Sequence, residues 1–310
     1  MNKMYASSSP HIRATASTRK IMLDVIISLV PAAIASVVYF GWRALSLCGV
    51  CILTCVVTEY LCRIVMKRDQ TIGDLSAVVT GLLLALNLPS GLNPLIAVFG
   101  SVVAILVVKQ MFGGIGMNFV NPALAARIVL MVSFPTAMTT WTNTAFQSVD
   151  AVSSATPMAA PAGTYSYLDL LIGNHGGSMG ETCALALVLG GIYLVVRGVI
   201  KPTIPVVYIG VVGLLSFVLG QDPVVAVLSG GLLIGAIFMA TDYTTSPVTP
   251  WGKVIYAAGC GVLTVLIRTY SNNPEGVSFS ILIMNILTPL IENMTAPRPF
   301  GSKKSKEGAK

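Results

Sequence analysis

"AVVTGLLL", residues 77–84, is echoed by "AVLSGGLL" at residues 226–233, which keeps its Ala, Val, Gly and last two Leu and answers Thr80 with Ser229. The echo continues downstream. Gly100, Val103 and Lys109 fall opposite Gly259, Val262 and Arg268 at a constant offset, and "GMNF" at 116–119 is answered by "GVSF" at 276–279. A chain that repeats itself in this way is built from two copies of one unit. The number of membrane crossings in each copy then decides how the copies face each other.

Composition says that crossings are present. Of the 310 residues, 55% are hydrophobic and only 10% charged, and mean hydropathy is +0.81; an average soluble domain is roughly 25% charged. A hydrocarbon core of about 30 Å takes about 20 apolar helical residues per crossing. Apolar runs between polar breaks give ten spans, near 21–41, 45–66, 75–89, 94–112, 118–134, 182–199, 203–219, 223–240, 253–271 and 279–293. The expected fold is an all-α integral membrane protein with ten transmembrane helices, five before the long connection and five after it. An odd number per copy inverts one copy relative to the other, so these are two inverted five-helix repeats with any site at their interface. The organisation read from this is a leader over 1–20, a first repeat over 21–134, a loop over 135–181, a second repeat over 182–293 and a basic tail over 294–310.

Charge orients the bundle. The 19 Lys and Arg behind the net charge of +7 lie at the chain ends and in short connections without interleaved aromatics, which speaks for topology and against a nucleic-acid partner. Lys3, Arg13, Arg19 and Lys20 in the leader and Arg298, Lys303, Lys304, Lys306 and Lys310 in the tail place both termini on the cytoplasmic side. Arg63, Lys67, Arg68, Lys109, Arg197, Lys201 and Lys253 fall on that side too. The connection from Pro135 to Glu181 has no Lys or Arg and holds Asp150, Asp169 and Glu181, so it is extracytoplasmic. The run from Ile21 to Phe40 is longer than a signal-peptide core and lacks a small-x-small cleavage site, which makes it the first span. Cys48, Cys51, Cys55 and Cys62 sit inside an apolar run and read as small helix-packing residues, with no metal assigned.

Two spans are too short for regular crossings. Residues 75–88 would make a helix of about 21 Å that ends in Pro89-Ser90-Gly91, and the matching run at 224–239 enters the turn-rich "ATDYTTSPVTP". Short segments at matching places in two halves point to a midplane site. "NFVNP" at 118–122 reads as an unwound start to the fifth span, where Asn118, Asn121 and a helix N-terminus would face an anionic or carbonyl group of a cofactor. Charged residues inside spans are functional candidates by default. Glu59 is expected to pair with Arg63 at i,i+4. Arg127 answers either a flavin, a phosphate, a helix C-terminus or a partner on another helix. Asp74, Thr80, Asn121, Asp242 and Ser246 are the candidates for an ion path, each with helix capping or a turn hydrogen bond as its alternative role.

The long loop contains "DAVSSATPMAAPAG", residues 150–163, a linker by composition. Its order suits an attachment site. A transferase that esterifies a hydroxyl needs an extended acceptor with small neighbours; Ser153, Ser154 and Ala155 are small, and Pro157 drives Thr156 toward extended backbone. The pattern Asp150-x-x-Ser153-x-Ala155-Thr156 resembles the acceptor motif of proteins that receive covalent FMN from a flavin transferase outside the bacterial membrane. In such proteins the final threonine forms the phosphoester, which maps the FMN onto Thr156.

The likeness extends to "SSSPHIR", "GDLSAVVTGLLLALNLPSGLNP", "KQMFGGIGMNFVNPALAARIVL", "FMATDYTTSPVTPWGK" and "PEGVSFSILIMNILTPLI". Together these resemble the family that holds the RnfD protein of the Rnf complex and its NqrB cousin in the sodium-pumping NADH:quinone oxidoreductase, over essentially the whole chain. The short leader is closer to the Rnf member. Ser154 departs from the family, which often has glycine there. The resemblance implies a urea-transporter-like fold in a bacterial inner (cytoplasmic) membrane. It implies a redox-driven pump that passes electrons between ferredoxin and NAD, coupled to Na+ or H+ movement. It further implies FMN on Thr156, a second noncovalent riboflavin or FMN among the helices, and membrane lipid as surroundings. Implied partners are the A, B, C, E and G proteins of the Rnf complex and a flavin transferase for maturation. The chain has no nicotinamide fingerprint and no ferredoxin cluster motif, so no turnover is expected from it alone. The repeat by itself equally supports a urea-transporter-like solute channel, although a channel has no use for an acceptor threonine. A membrane scaffold with a vestigial flavin site is the third reading.

Overall fold

The computed structural model describes residues 17–142, 144, 165–271 and 276–297. Asp150, Ser153, Ala155 and Thr156, expected from the sequence to form a flavin-acceptor site, lie outside the described residues, as do most of the leader and the basic tail. Every element among the described residues is a helix. In chain order these are α1 Thr18–Phe40, α2 Trp42–Val65, α3 Ser76–Leu86, α4 Pro94–Val102, α5 Pro122–Ser133, α6 Pro135–Thr139 and α7 Tyr167–Ile172. Then come α8 Ala184–Val196, α9 Thr203–Val218, α10 Pro223–Leu228, α11 Leu232–Ile234, α12 Pro250–Tyr270 and α13 Gly276–Thr295. Two of them change pitch: α4 continues as a π-helix over Val103–Gln110 and α11 as one over Gly235–Met239.

Among the described residues, α1, α2, α12 and α13 are long and apolar enough to cross a membrane. Five more apolar helices are shorter, from 10 to 17 residues. Four starts use one device, a capping side chain followed by proline. Asn93, Asn121, Asp222 and Thr249 each accept backbone N–H bonds ahead of Pro94, Pro122, Pro223 and Pro250. Proline loses nothing at that position, because its missing N–H would have had no helical partner.

The apolar core is centred on α3, whose residues are buried except Val78. It lies against α2 so closely that a Cβ on Gly81 would stand 2.8 Å from the Ile52 Cα. Small residues permit this backbone approach between apolar helices. Around it, α1 packs on α8 and α5 on α13, while α2 packs on α3 and α4, and α9 on α10 and α12. Leu23, Ile27, Val30, Ile34 and Val38 form an exposed apolar stripe on α1.

The two echoed octapeptides fold differently. α3 runs unbroken through Gly81, but the second copy breaks between α10 and α11, where Gly230 and Gly231 take φ of +69° and +67°. One residue explains it. Leu82 is replaced by Gly231, giving two consecutive glycines that enter the left-handed region without Cβ strain. The freed carbonyls are satisfied from α12: Arg268 Nη1 donates to Ala226 O at 2.7 Å, and Nη2 donates to the carbonyls of Ser229 and Gly230, each at 3.0 Å.

Candidate functional site

A cavity of about 370 Å3 lies at the end of the bundle where α1, α3 and α5 begin and α8 ends. Its walls are apolar, from Ile21, Met22 and Val25 of α1 to Leu83 of α3 and Phe238 of the second π-helix. Its polar groups include Thr80, Lys109, Asn118, Asn121 and Asp242. Thr80, Asn118, Asn121 and Asp242 were expected from the broken segments, and the fold brings them to one chamber, where Ser76, Thr241, Tyr243 and Thr244, which were not expected, line it as well.

Each is positioned by local chain geometry. Residues 118–121 are unwound and α5 starts at Pro122, as the Asn-Pro sequence indicates. Asn121 caps that helix: its Oδ1 accepts from Ala123 N at 3.0 Å and Leu124 N at 3.3 Å, and its Nδ2 donates to Met239 O at 3.5 Å. Asn118 Nδ2 donates to Val120 O at 3.0 Å and Thr244 Oγ1 at 3.1 Å. Thr80 Oγ1 donates back to Ser76 O at 3.0 Å.

Lys109 is nearly buried and held by an ion pair. Its Nζ donates to Glu59 Oε2 at 2.8 Å and to Ser76 Oγ at 2.6 Å. Glu59 Oε1 accepts from Thr71 Oγ1 at 3.0 Å and Gln110 Nε2 at 2.9 Å. This corrects the expected Glu59–Arg63 pair. The wider π turn lets the neighbours Lys109 and Gln110 reach one carboxylate, while the Arg63 guanidinium fills the space above Gly114, where φ is +108°. Asp74 stands behind Lys109, accepting from Ser76 N at 2.8 Å and Ser76 Oγ at 2.6 Å.

Arg127 and Ser246 do not line the chamber. Arg127 Nη1 donates to Asn87 Oδ1 at 2.7 Å, and Asn87 is the C-cap of α3, so the guanidinium serves a partner on another helix. Ser246 Oγ donates to Asp242 O at 2.7 Å and closes the turn after the π-helix. The Asp242 carboxylate accepts from Thr244 Oγ1 at 3.1 Å, yet burial pushes its carboxyl above the usual carboxylate range. A carboxyl that is raised in the folded state favours folding while protonated, so its contribution declines as pH rises through the raised value. Asp242→Asn is therefore expected to flatten the decline in Tm as pH rises above the ordinary carboxylate range, measured by thermal unfolding in detergent. An unchanged pH slope would contradict it.

The sequence reading missed three polar residues, two of them buried. It took Glu181 for a loop charge and passed over His175, yet they are 3% and 0% exposed. The signal was the run "NHGGSMGE" at 174–181, whose glycines let backbone approach backbone: Gly180 N donates to Leu86 O at 2.6 Å and Met179 N to Leu88 O at 3.1 Å. The third is Arg268, noted only as the counterpart of Lys109.

Comparison with known proteins covers almost the whole chain. Residues 5–301 match the model of the NQR2, RnfD, RnfE family. The chain is 49% identical to the D component of the Na(+)-translocating ferredoxin:NAD(+) oxidoreductase complex of Acetobacterium woodii, over 98% of this chain and 97% of that one. It is 44% identical to the D component of the proton-translocating ferredoxin:NAD(+) oxidoreductase complex of Clostridium ljungdahlii, over 96% of each chain. It is 35% identical to the D component of the ion-translocating oxidoreductase complex of Halorhodospira halophila, over 95% of this chain and 94% of that one. A match of this extent settles the membership: the chain belongs to the NQR2, RnfD, RnfE family.

Proposed function

We propose that this chain is the D component of an Rnf-type ion-translocating ferredoxin:NAD oxidoreductase, a membrane flavoprotein that carries FMN on Thr156 and works with the A, B, C, E and G proteins of that complex. The observation that carries the reading is the near-full-length likeness to the D components of two named ferredoxin:NAD(+) oxidoreductase complexes. By name, one relative translocates Na+ and the other protons. The proposal covers both ions.

The chamber supports a second, noncovalent flavin. Its volume falls within the roughly 300–1,000 Å3 of small-molecule sites, and apolar walls with few polar groups are the usual lining. Phe238, Leu83 and Met22 would bracket a planar ring. Of the three donors on the Lys109 ammonium, two are spent on Glu59 and Ser76, leaving the third for a carbonyl oxygen of the ring. A protonated Asp242 would supply a donor from the other side, and the Asn118 and Asn121 amides are set by their own hydrogen bonds. Bound there, a flavin supplies electron carriage, while these residues orient it and keep water out.

Two inverted repeats remain our reading of the architecture. The pairing of first helix with first helix, α1 on α8, and last with last, α5 on α13, is what a pseudo-two-fold axis between the halves requires. Under the charge-derived topology, the chamber opens toward the cytoplasm and the acceptor loop lies outside, so the chain would present flavins on both sides of the membrane. The residues proposed for ion movement are Thr80, Asn121 and Asp242 in the chamber, with Asp74 and Ser246 bracing it.

The test is covalent flavin. Protein made in a host with the flavin transferase should keep flavin fluorescence on the polypeptide after denaturation, and Thr156→Val should lose essentially all of it. Retention by Thr156→Val would overturn the site. A flavin-free wild-type polypeptide from that host would favour the solute-channel reading instead.

A further inference from the structure

Arg63, in the last turn of α2, is a nearly buried cation, 7% exposed. Its side chain forms no hydrogen bond or ion pair among the described residues, and its Nε is buried without a partner. The carboxylate one turn before it, Glu59, is already held by Lys109 at 2.8 Å. A guanidinium carries five N–H donors and a full charge, and taking such a group out of water without an anion is strongly unfavourable. Of its three nitrogens only Nε is sealed; Nη1 and Nη2 keep contact with the surface.

The chain is shaped around this side chain. Gly113, Gly114 and Gly116 take φ of +125°, +108° and +88°, and a Cβ on Gly114 would collide with Arg63 Nη2. Only glycine suits both the backbone angle and the contact. Gln110 Oε1 lies 3.9 Å from the same point and also lacks a donor; it can take one N–H, but it is neutral. Arg68 Nη1 donates to Gln110 O at 3.3 Å, which brings a second guanidinium to the same turn. Lys67 and Asp69 beside it are exposed, and Asp69 pairs with neither guanidinium. Three cations against one exposed carboxylate leave this corner positive.

The surface around it is apolar. Ile64 and Val65 follow Arg63 on α2, and Met111, Phe112, Met117 and Phe119 flank the glycines, all of them exposed; the rings of Phe112 and Phe119 meet edge-on at 4.9 Å. A free ion gains nothing from such a rim, but acyl chains do. The charge-derived topology puts this corner on the cytoplasmic side, where basic residues at helix ends attract anionic lipid. We propose that Arg63 Nη1 and Nη2, with Lys67 and Arg68 beside them, hold the phosphate of an anionic phospholipid whose acyl chains lie on these exposed side chains. The guanidinium fork matches two phosphate oxygens. Ile115, Gly116 and Asn118 of the same segment line the chamber, so a lipid bound here braces one chamber wall. The inference rests on the membrane reading of the chain and on no flavin.

The test uses full-length protein stripped of lipid in detergent and titrated with phosphatidylglycerol or phosphatidylcholine, with bound lipid counted by native mass spectrometry. The parent is expected to bind its first phosphatidylglycerol about tenfold more tightly than phosphatidylcholine. Arg63→Gln should lose most of that preference and Lys67→Gln a smaller part. Lys201→Gln removes an exposed cation on the α8–α9 connection and should leave the preference unchanged. A parent without preference, or Arg63→Gln with the parent's preference, overturns the proposal. Displacement of the lipid by an equal concentration of inorganic phosphate overturns it too, by making the site one for the free ion. The two readings on the parent stand by themselves, should Arg63→Gln fail to fold.

Discussion

Lys109→Met is expected to cost about 3–5 kcal/mol of stability, because it leaves the fully buried Glu59 carboxylate without its cation. Thr71 and Gln110 still donate to Oε1, but neither neutralises the charge. The variant should accumulate poorly and melt well below the parent. Pairing it with Glu59→Met should recover much of the loss, since two apolar side chains of similar volume are often neutral where half an ion pair is not. Thermal unfolding of the two single variants and the double variant in one detergent checks this. Additive losses would mean that the two residues act independently.

The second large effect is expected at the helix break. Arg268→Ala removes donors from the carbonyls of Ala226, Ser229 and Gly230 at once. A buried acceptor without a donor costs about 1–3 kcal/mol, so the loss should reach about 3 kcal/mol or more. Arg268→Lys should recover only part, because an ammonium is a point donor and cannot span the fork that a guanidinium presents to three carbonyls. If Arg268→Ala melts like the parent, the break is held by its glycines alone.

Much of the site could be read from the chain because it is built from local signals. Asn-Pro at 121–122 encodes both the unwound entry and the cap of α5, and the turn-rich string after Met239 places Asp242 at a helix end. Those features need only neighbours in sequence. What escaped depends on pitch and on distant partners. Nothing in "VAILVVKQ" announces a π-helix, and without it Glu59 looks closer to Arg63 than to Lys109, fifty residues away. Glu181 looked like a loop charge because polarity predicts exposure; its neighbour Gly180 rests on Leu86 and its own carboxylate lies beside Gly231, neither of them within forty residues. The break at 229–231 lay inside the octapeptide used to detect the repeat. Likeness there concealed the Leu82-to-Gly231 difference that makes the two copies bend differently.

The seat of residues 173–182 has a consequence for synthesis. Gly180 rests on Leu86, which is made before it, but Glu181 rests beside Gly231, which is made later. At about 5–20 residues per second, the intervening segment takes about 3–10 s to emerge. During that interval residues 173–182 have only half of their docking surface, so a newborn chain passes through a stage in which this segment is seated on the first half of the protein alone.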